Sequence, residues 1–190
     1  MAVSGELETE LGIAAFRGSD TERVITAPAY VLNFSFNQNW ELVLEGRGEH
    51  PQPPTEDTGS RLVGNGLFLK GVLHKGALQN KIGPSVATEF GVLLPGINDE
   101  PGMGATWIGI VSQRGPWGTA HFNAGATLTR ERHTDLFVGT IIEGPYDWKI
   151  RPAAELLYER EFNTKEKVSV LAGVLWRVRD TLSFDVGLRR

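Results

Sequence analysis

Catalysis in this chain would have to start from its four histidines, His50, His74, His121 and His133, because it has no cysteine. A hydrolase needs a serine or a water activated by histidine, with an acid to orient the ring. His50 and His133 fall in loop stretches, where solvated side chains are the simplest expectation, and His74 lies near a strand end beside Lys75. His121 shares a face with Thr119 and Asn123, which makes it a hydrogen-bonding wall residue rather than a base. No serine sits at a recognisable nucleophile turn. Without cysteine there are no disulfides, thiolate metal sites or thiol nucleophiles, in an exported chain or a cytosolic one. The acid-rich stretches Thr55-Glu56-Asp57 and Asn98-Asp99-Glu100 offer oxygen ligands for calcium. Neither has the spacing of a calcium loop, and solvated loop tips explain both equally well. Gly102-Met103-Gly104 does not lead from a strand into a helix, so it has no phosphate-cradling context. The expectation is no enzyme, with no catalytic residues, no metal and no cofactor.

A second set of residues could do electrostatic work. Glu8, Glu41, Glu45, Arg47, Lys70, Glu89, Glu155, Arg177 and Asp185 carry both signs of charge among Gly, Ala, Ser, Thr and Asn. If they face a narrow lumen, they form either a constriction that selects solutes by charge and size or a set of salt bridges that holds a small barrel closed. A carboxylate in such a place needs a partner or water, so a cross-barrel network with Lys70, Arg47 and Arg177 is expected.

The elements that would position these charges are most legible at the end of the chain. Val168, Val170, Ala172, Val174, Trp176 and Val178 alternate with Ser169, Leu171, Gly173, Leu175, Arg177 and Arg179, and the alternation resumes at Leu182, Phe184, Val186 and Leu188. This period of two predicts a β-hairpin with one apolar and one mixed polar face. If both apolar sets share a face, Val178 opposes Leu182 across an odd loop of Arg179, Asp180 and Thr181, and Arg177 lies diagonal to Asp185.

The same pattern recurs upstream. A first strand spans Leu7 to Ala15 and Arg17 to Glu22 form a loop. A second strand covers about Val24 to Phe36, Asn37 to Asn39 turn into Trp40 to Arg47, and His50 to Ser60 is a loop too polar and Pro-rich to pair. Strands follow at Arg61 to His74 and Ile82 to Leu94, with a long loop at Pro95 to Met103. Further strands are Gly104 to Arg114, Thr119 to Arg130, Asp135 to Glu143 and Lys149 to Glu161. No helix of normal length is expected.

These segments are longer than the roughly five or six residues typical of soluble strands and match the about nine to eleven that cross a bilayer at the usual tilt. Trp40, Trp107, Trp117, Trp148, Trp176, Tyr146 and Tyr158 lie mostly near segment ends, where a bilayer has its interfaces. Connections alternate short and long from the second strand onward, as in outer-membrane barrels. The expected fold is therefore all-β: one domain over residues 1–190, a single closed antiparallel up-and-down transmembrane β-barrel. Eleven segments are visible, and the even-number rule for bacterial barrels favours about 12 strands within a range of 10–12. A soluble lipocalin-like barrel has the same alternation with the faces exchanged, and a closed structural or adhesive barrel acting through its long loops is a further alternative.

Composition narrows the partners. The net charge is −4, with no basic run, which leaves nucleic acid nothing to bind. No apolar segment approaches the roughly 18 residues a spanning helix needs, and the stretch from Met1 to Leu11 has no signal-peptide pattern, so an exported protein of this sequence is a mature or trimmed chain.

Short motifs run through nearly the whole sequence: Gly5-Glu6-Leu7-Glu8, Asn39-Trp40-Glu41-Leu42, Leu69-Lys70-Gly71, Gly91-Val92-Leu93-Leu94-Pro95-Gly96, Ala154-Glu155-Leu156 and Leu182-Ser183-Phe184-Asp185-Val186-Gly187. In these the chain resembles the outer-membrane barrel family named for the meta pathway of phenol degradation. The resemblance implies a Gram-negative outer-membrane location, passage of small molecules including aromatic or apolar ones, insertion by the outer-membrane assembly machinery, and inward charges at Glu8, Glu41, Lys70, Glu155 and Asp185. Such barrels usually end on an aromatic residue, whereas this chain ends on Arg189-Arg190. The family name records a genetic neighbourhood, so no particular solute is implied.

Overall fold

A computed structural model describes residues 4–17, 23–52, 59–98, 101–161 and 166–190. Among these the chain forms eleven antiparallel strands: β1 (Leu7–Arg17), β2 (Arg23–Ser35), β3 (Trp40–Gln52), β4 (Arg61–His74), β5 (Ser85–Leu93), β6 (Gly104–Gly115), β7 (Gly118–Leu128), β8 (Thr134–Glu143), β9 (Ile150–Glu161), β10 (Glu166–Arg179) and β11 (Leu182–Arg189). They make one sheet whose spatial order is their order in the chain, β1 to β11. This is the up-and-down arrangement that short connections and period-two patterning dictate. The strand count is a correction: the parity rule argued for twelve, and eleven strands are found among the described residues. That rule applies to sheets already closed in a membrane, and it adds no segment to a sequence that displays eleven.

Some boundaries also differ from expectation. β3 continues through His50, Pro51 and Gln52, which pair with Ile25, Val24 and Arg23. The proline is tolerated because it sits at a strand end, past the last register pair with β4 at Glu49 and Arg61, where a missing donor interrupts least. β5 begins only at Ser85, because a single 3-10 turn at Ala77–Gln79 and a positive φ at Gly83 occupy the preceding stretch. The β4–β5 connection, residues 75–84, is therefore as long as the β5–β6 connection, residues 94–103, and the alternation of short and long loops breaks there. The acidic stretches Thr55-Glu56-Asp57 and Asp99-Glu100, and residues 18–22 of the first loop, lie outside the described residues.

In the closing hairpin Arg179, not Val178, opposes Leu182, and the register shifts between Arg177 and Arg179. A bulge at Val178 takes up the extra residue, leaving Asp180 and Thr181 as the turn. An odd loop and a bulge are two solutions to the same parity requirement. Upstream of the bulge the expected pairing is present: Arg177 opposes Ser183 and Leu175 opposes Asp185, so Arg177 and Asp185 are diagonal neighbours.

The fold groups into two compact units. The first comprises Met1–Gly71, Glu89–Thr106 and Leu128–His133, and the second Val72–Thr88, Trp107–Thr127 and Thr134–Arg190. In both, the burial pattern is the inverse of a water-soluble sheet. Buried side chains of the first unit include Asn33, Ser35, Glu41 and Asn65, joined by only a few apolar groups, Val43, Val63 and Phe68. In the second unit Ser85, Thr88, Ser112, Thr119 and Ser169 are buried. Leu42, Leu44, Leu67 and Phe90 in the first unit, and Phe122, Val138, Leu156, Val170, Val174, Trp176 and Phe184 in the second, are exposed. Phe68 fills the buried face by lying over the Cα positions of Gly66 and Gly91, where a Cβ would collide with its ring. Between β3 and β4 the register slips at Gly64, whose φ of +65° is the left-handed conformation that only glycine adopts without strain. Among the described residues no helix is long and apolar enough to cross a membrane.

Candidate functional site

Four of the nine charges singled out in the sequence, Glu41, Glu45, Lys70 and Glu89, come together on the polar face of the first unit, with the exposed Arg47 beside them. Ser35, Glu41 and Lys70 form one row across β2, β3 and β4. The Ser35 hydroxyl donates to Glu41 Oε2 at 3.2 Å, and Lys70 Nζ lies 3.7 Å from Glu41 Oε1. Glu41 is only 2% exposed, so its charge depends on these two partners. Glu89 on β5 shares the field of Lys70 and Glu41, and Glu45 that of Glu89 and Arg47. Three carboxylates thus stand against two cations. Arg47 itself turns away to Glu49 at 2.9 Å, and Glu49 also receives Arg61 at 2.8 Å. Glu8, on β1, is exposed opposite Asn33.

The second unit holds the other three. Glu155 accepts both terminal contacts from Arg189 Nη2, at 3.0 and 3.1 Å, while Arg189 Nη1 donates to the Ser169 hydroxyl at 3.1 Å. Glu155 opposes Leu171, and Leu171 opposes Arg189, so the guanidinium reaches across an intervening strand. Arg177 does not meet Asp185. It lies over the Tyr146 ring at 5.2 Å and donates to the Asp147 carbonyl at 3.5 Å, while Asp185 stays exposed on β11. The charges thus form local groups within each unit.

Some partners were not foreseen from the sequence. Glu143 meets Arg151 at 3.1 Å and His121 Nε2 at 3.7 Å, and His121 Nδ1 lies 2.8 Å from the Ser112 hydroxyl. Serine, histidine and acid are in sequence here, as a hydrolase would have them. Yet Ser112 is 2% exposed and Glu143 is committed to Arg151, so the hydroxyl presents no surface to a substrate carbonyl. Arg130 donates to the carbonyls of Leu94 and Asn65, at 2.7 and 2.9 Å, tying a connecting segment to β4. Only period and register could have announced these contacts, since each joins residues at least eight positions apart.

No family model, characterised protein or solved structure matches the chain.

The arrangement itself therefore defines what the site can do. Among the described residues no group of three or more His, Asp and Glu side chains is placed to hold a metal ion. His50 bridges Ser60 and the Ala27 carbonyl at 2.7 and 2.8 Å, a structural tie between β2, β3 and the start of β4. What remains is a polar, charge-paired face that can order water and small solutes, and a face of exposed apolar side chains.

Proposed function

We propose that the chain is a transmembrane β-barrel of the Gram-negative outer membrane that acts as a passive pore or transporter for small solutes through a charged lumen. The observation that carries this reading is the inverted burial: Trp176 and Phe184 are 50% and 54% exposed while Glu41 is 2% exposed. In water such a surface would aggregate; against acyl chains it is the required one. A soluble lipocalin-like barrel needs the two faces exchanged. Trp117, Tyr146 and Trp148 sit in the β6–β7 and β8–β9 connections, where an interfacial belt belongs.

Closure belongs to the same reading. β1 and β11 are exposed along both faces, and hydrocarbon tolerates no unpaired strand edge, so each edge must be paired in the bilayer. The resemblance of its short motifs to the phenol meta-pathway barrels is what suggests small, aromatic or apolar solutes, and insertion would depend on the outer-membrane assembly machinery. Solubility only in detergent, with a band that migrates differently when unboiled, is the expected behaviour. A monodisperse monomer without detergent would contradict it.

A second reading is favoured by the pairing of Glu41 with Lys70 and of Glu155 with Arg189, which leaves these charges to brace the wall. In that case the barrel is structural and acts through its loops. Planar bilayers separate the two: steady conductance supports the pore, and a silent bilayer with correctly folded protein supports the brace.

A further inference from the structure

We propose that the second unit carries a binding site for a small oxyanion, carboxylate or phosphate, formed by Arg114, Arg151 and Arg177 around Tyr146. The three guanidiniums come from β6, β9 and β10 and converge on one ring, with their central carbons 4.2, 5.5 and 5.2 Å from its centroid. The topology gathers them at one end: Arg114 precedes the β6–β7 turn, Arg151 follows the β8–β9 connection that contains Tyr146, and Arg177 precedes the β10–β11 turn. Arg177 N donates to the Lys149 carbonyl at 2.8 Å, which fixes β10 against that connection.

Charge and hydrogen bonding both leave room for an anion. Among the described residues Glu143 is the one carboxylate paired with the trio, through Arg151. Among the described residues Asp147 offers Arg177 only its backbone carbonyl, and Asp185 makes no ion pair with any of the three. Three positive charges against one negative repel one another in a partly desolvated place, and an anion between them relieves that repulsion. Part of the donor set is also unspent. Arg114 meets no protein acceptor, and the Nε atoms of Arg114 and Arg151 are buried without a hydrogen-bond partner. A planar fork of N–H groups with no acceptor matches the two oxygens of a carboxylate or phosphate. Stacking on Tyr146 pre-orders the forks, which lowers the cost of binding. The site stands whether or not the sheet spans a membrane; in a pore it would make anionic solutes the favoured cargo.

The test is calorimetric titration of the purified full chain in non-ionic detergent at low ionic strength with sodium acetate and with inorganic phosphate. The expected result is saturable binding of at least one of them, the tighter anion identifying the class. Arg114→Gln should weaken it by about tenfold or more, as loss of a charge-assisted pair implies, whereas the exposed Arg179→Gln should leave it unchanged. If Arg114→Gln does not fold, Arg177→Gln serves as the second variant. Absence of saturable binding by the folded wild-type protein, or equal loss in Arg179→Gln, would overturn the proposal.

Discussion

Trp176 on β10 and Phe184 on β11 stand directly opposite one another, their ring centroids 6.1 Å apart, and both are half exposed. A cross-strand aromatic pair of this kind normally stabilises a sheet by closing over a core. Here it faces outward, while Ser169 on the other face of β10 is buried. The proposals about location and solute depend on that reversal.

A charge placed on the outward face should be costly in lipid and harmless in water. Val174, in mid-strand opposite Val186, is the place to put it. In vesicles Val174→Arg should lower unfolding free energy by about 2–4 kcal/mol, measured by reversible denaturant titration. No loss of stability would mean that this face does not meet acyl chains.

Lys70 and Glu41 should set ion preference in opposite directions. Removing the lysine leaves Glu41, Glu45 and Glu89 with Arg47 alone, so Lys70→Gln should shift reversal potentials in planar bilayers toward cations. Glu41→Gln should shift them toward anions. Identical selectivity in both variants would detach these residues from any conduction path.

Arg189 reaches Glu155 with one terminal nitrogen and Ser169 with the other, a two-armed contact that lysine cannot reproduce. Because the pair is partly solvated, Arg189→Lys should cost only about 1 kcal/mol. A double-mutant cycle with Glu155→Gln should show the two losses to be non-additive, and strict additivity would show that the contact contributes nothing.

At the β4 bulge, Gly64→Ala would hold an L residue at φ +65° with its Cβ 2.9 Å from Arg47 Nη1. The expected loss is about 1–2 kcal/mol, read from the denaturation midpoint. Gly59→Ala, where a Cβ meets nothing, is the control.

The strands were legible in the sequence because period two survives wherever one face is sorted by polarity, as at residues 168–178. Their ends were not. Pro51 reads as a strand breaker, yet at the end of β3 it is compatible with pairing. The closing turn was misplaced because alternation fixes parity without deciding between an odd loop and a bulge at Val178. Among the charges, Glu41 with Lys70 follows from the β3–β4 register alone. Arg189 with Glu155 spans an extra strand and needs both the β9–β10 and β10–β11 registers at once. The cluster around Tyr146 was invisible for a different reason: its residues lie at strand ends and in a connection, where periodicity carries no information.

Because the chain contains no native cysteine, single cysteines can be introduced one at a time along β10 and spin-labelled in lipid vesicles. The expected result is that labels at residues 170, 172 and 174 relax with oxygen dissolved in the bilayer, while labels at 169, 171 and 173 respond to a water-soluble paramagnet or to neither. The opposite alternation, with the even positions shielded and the odd ones in bulk water, would contradict the assignment of the two faces.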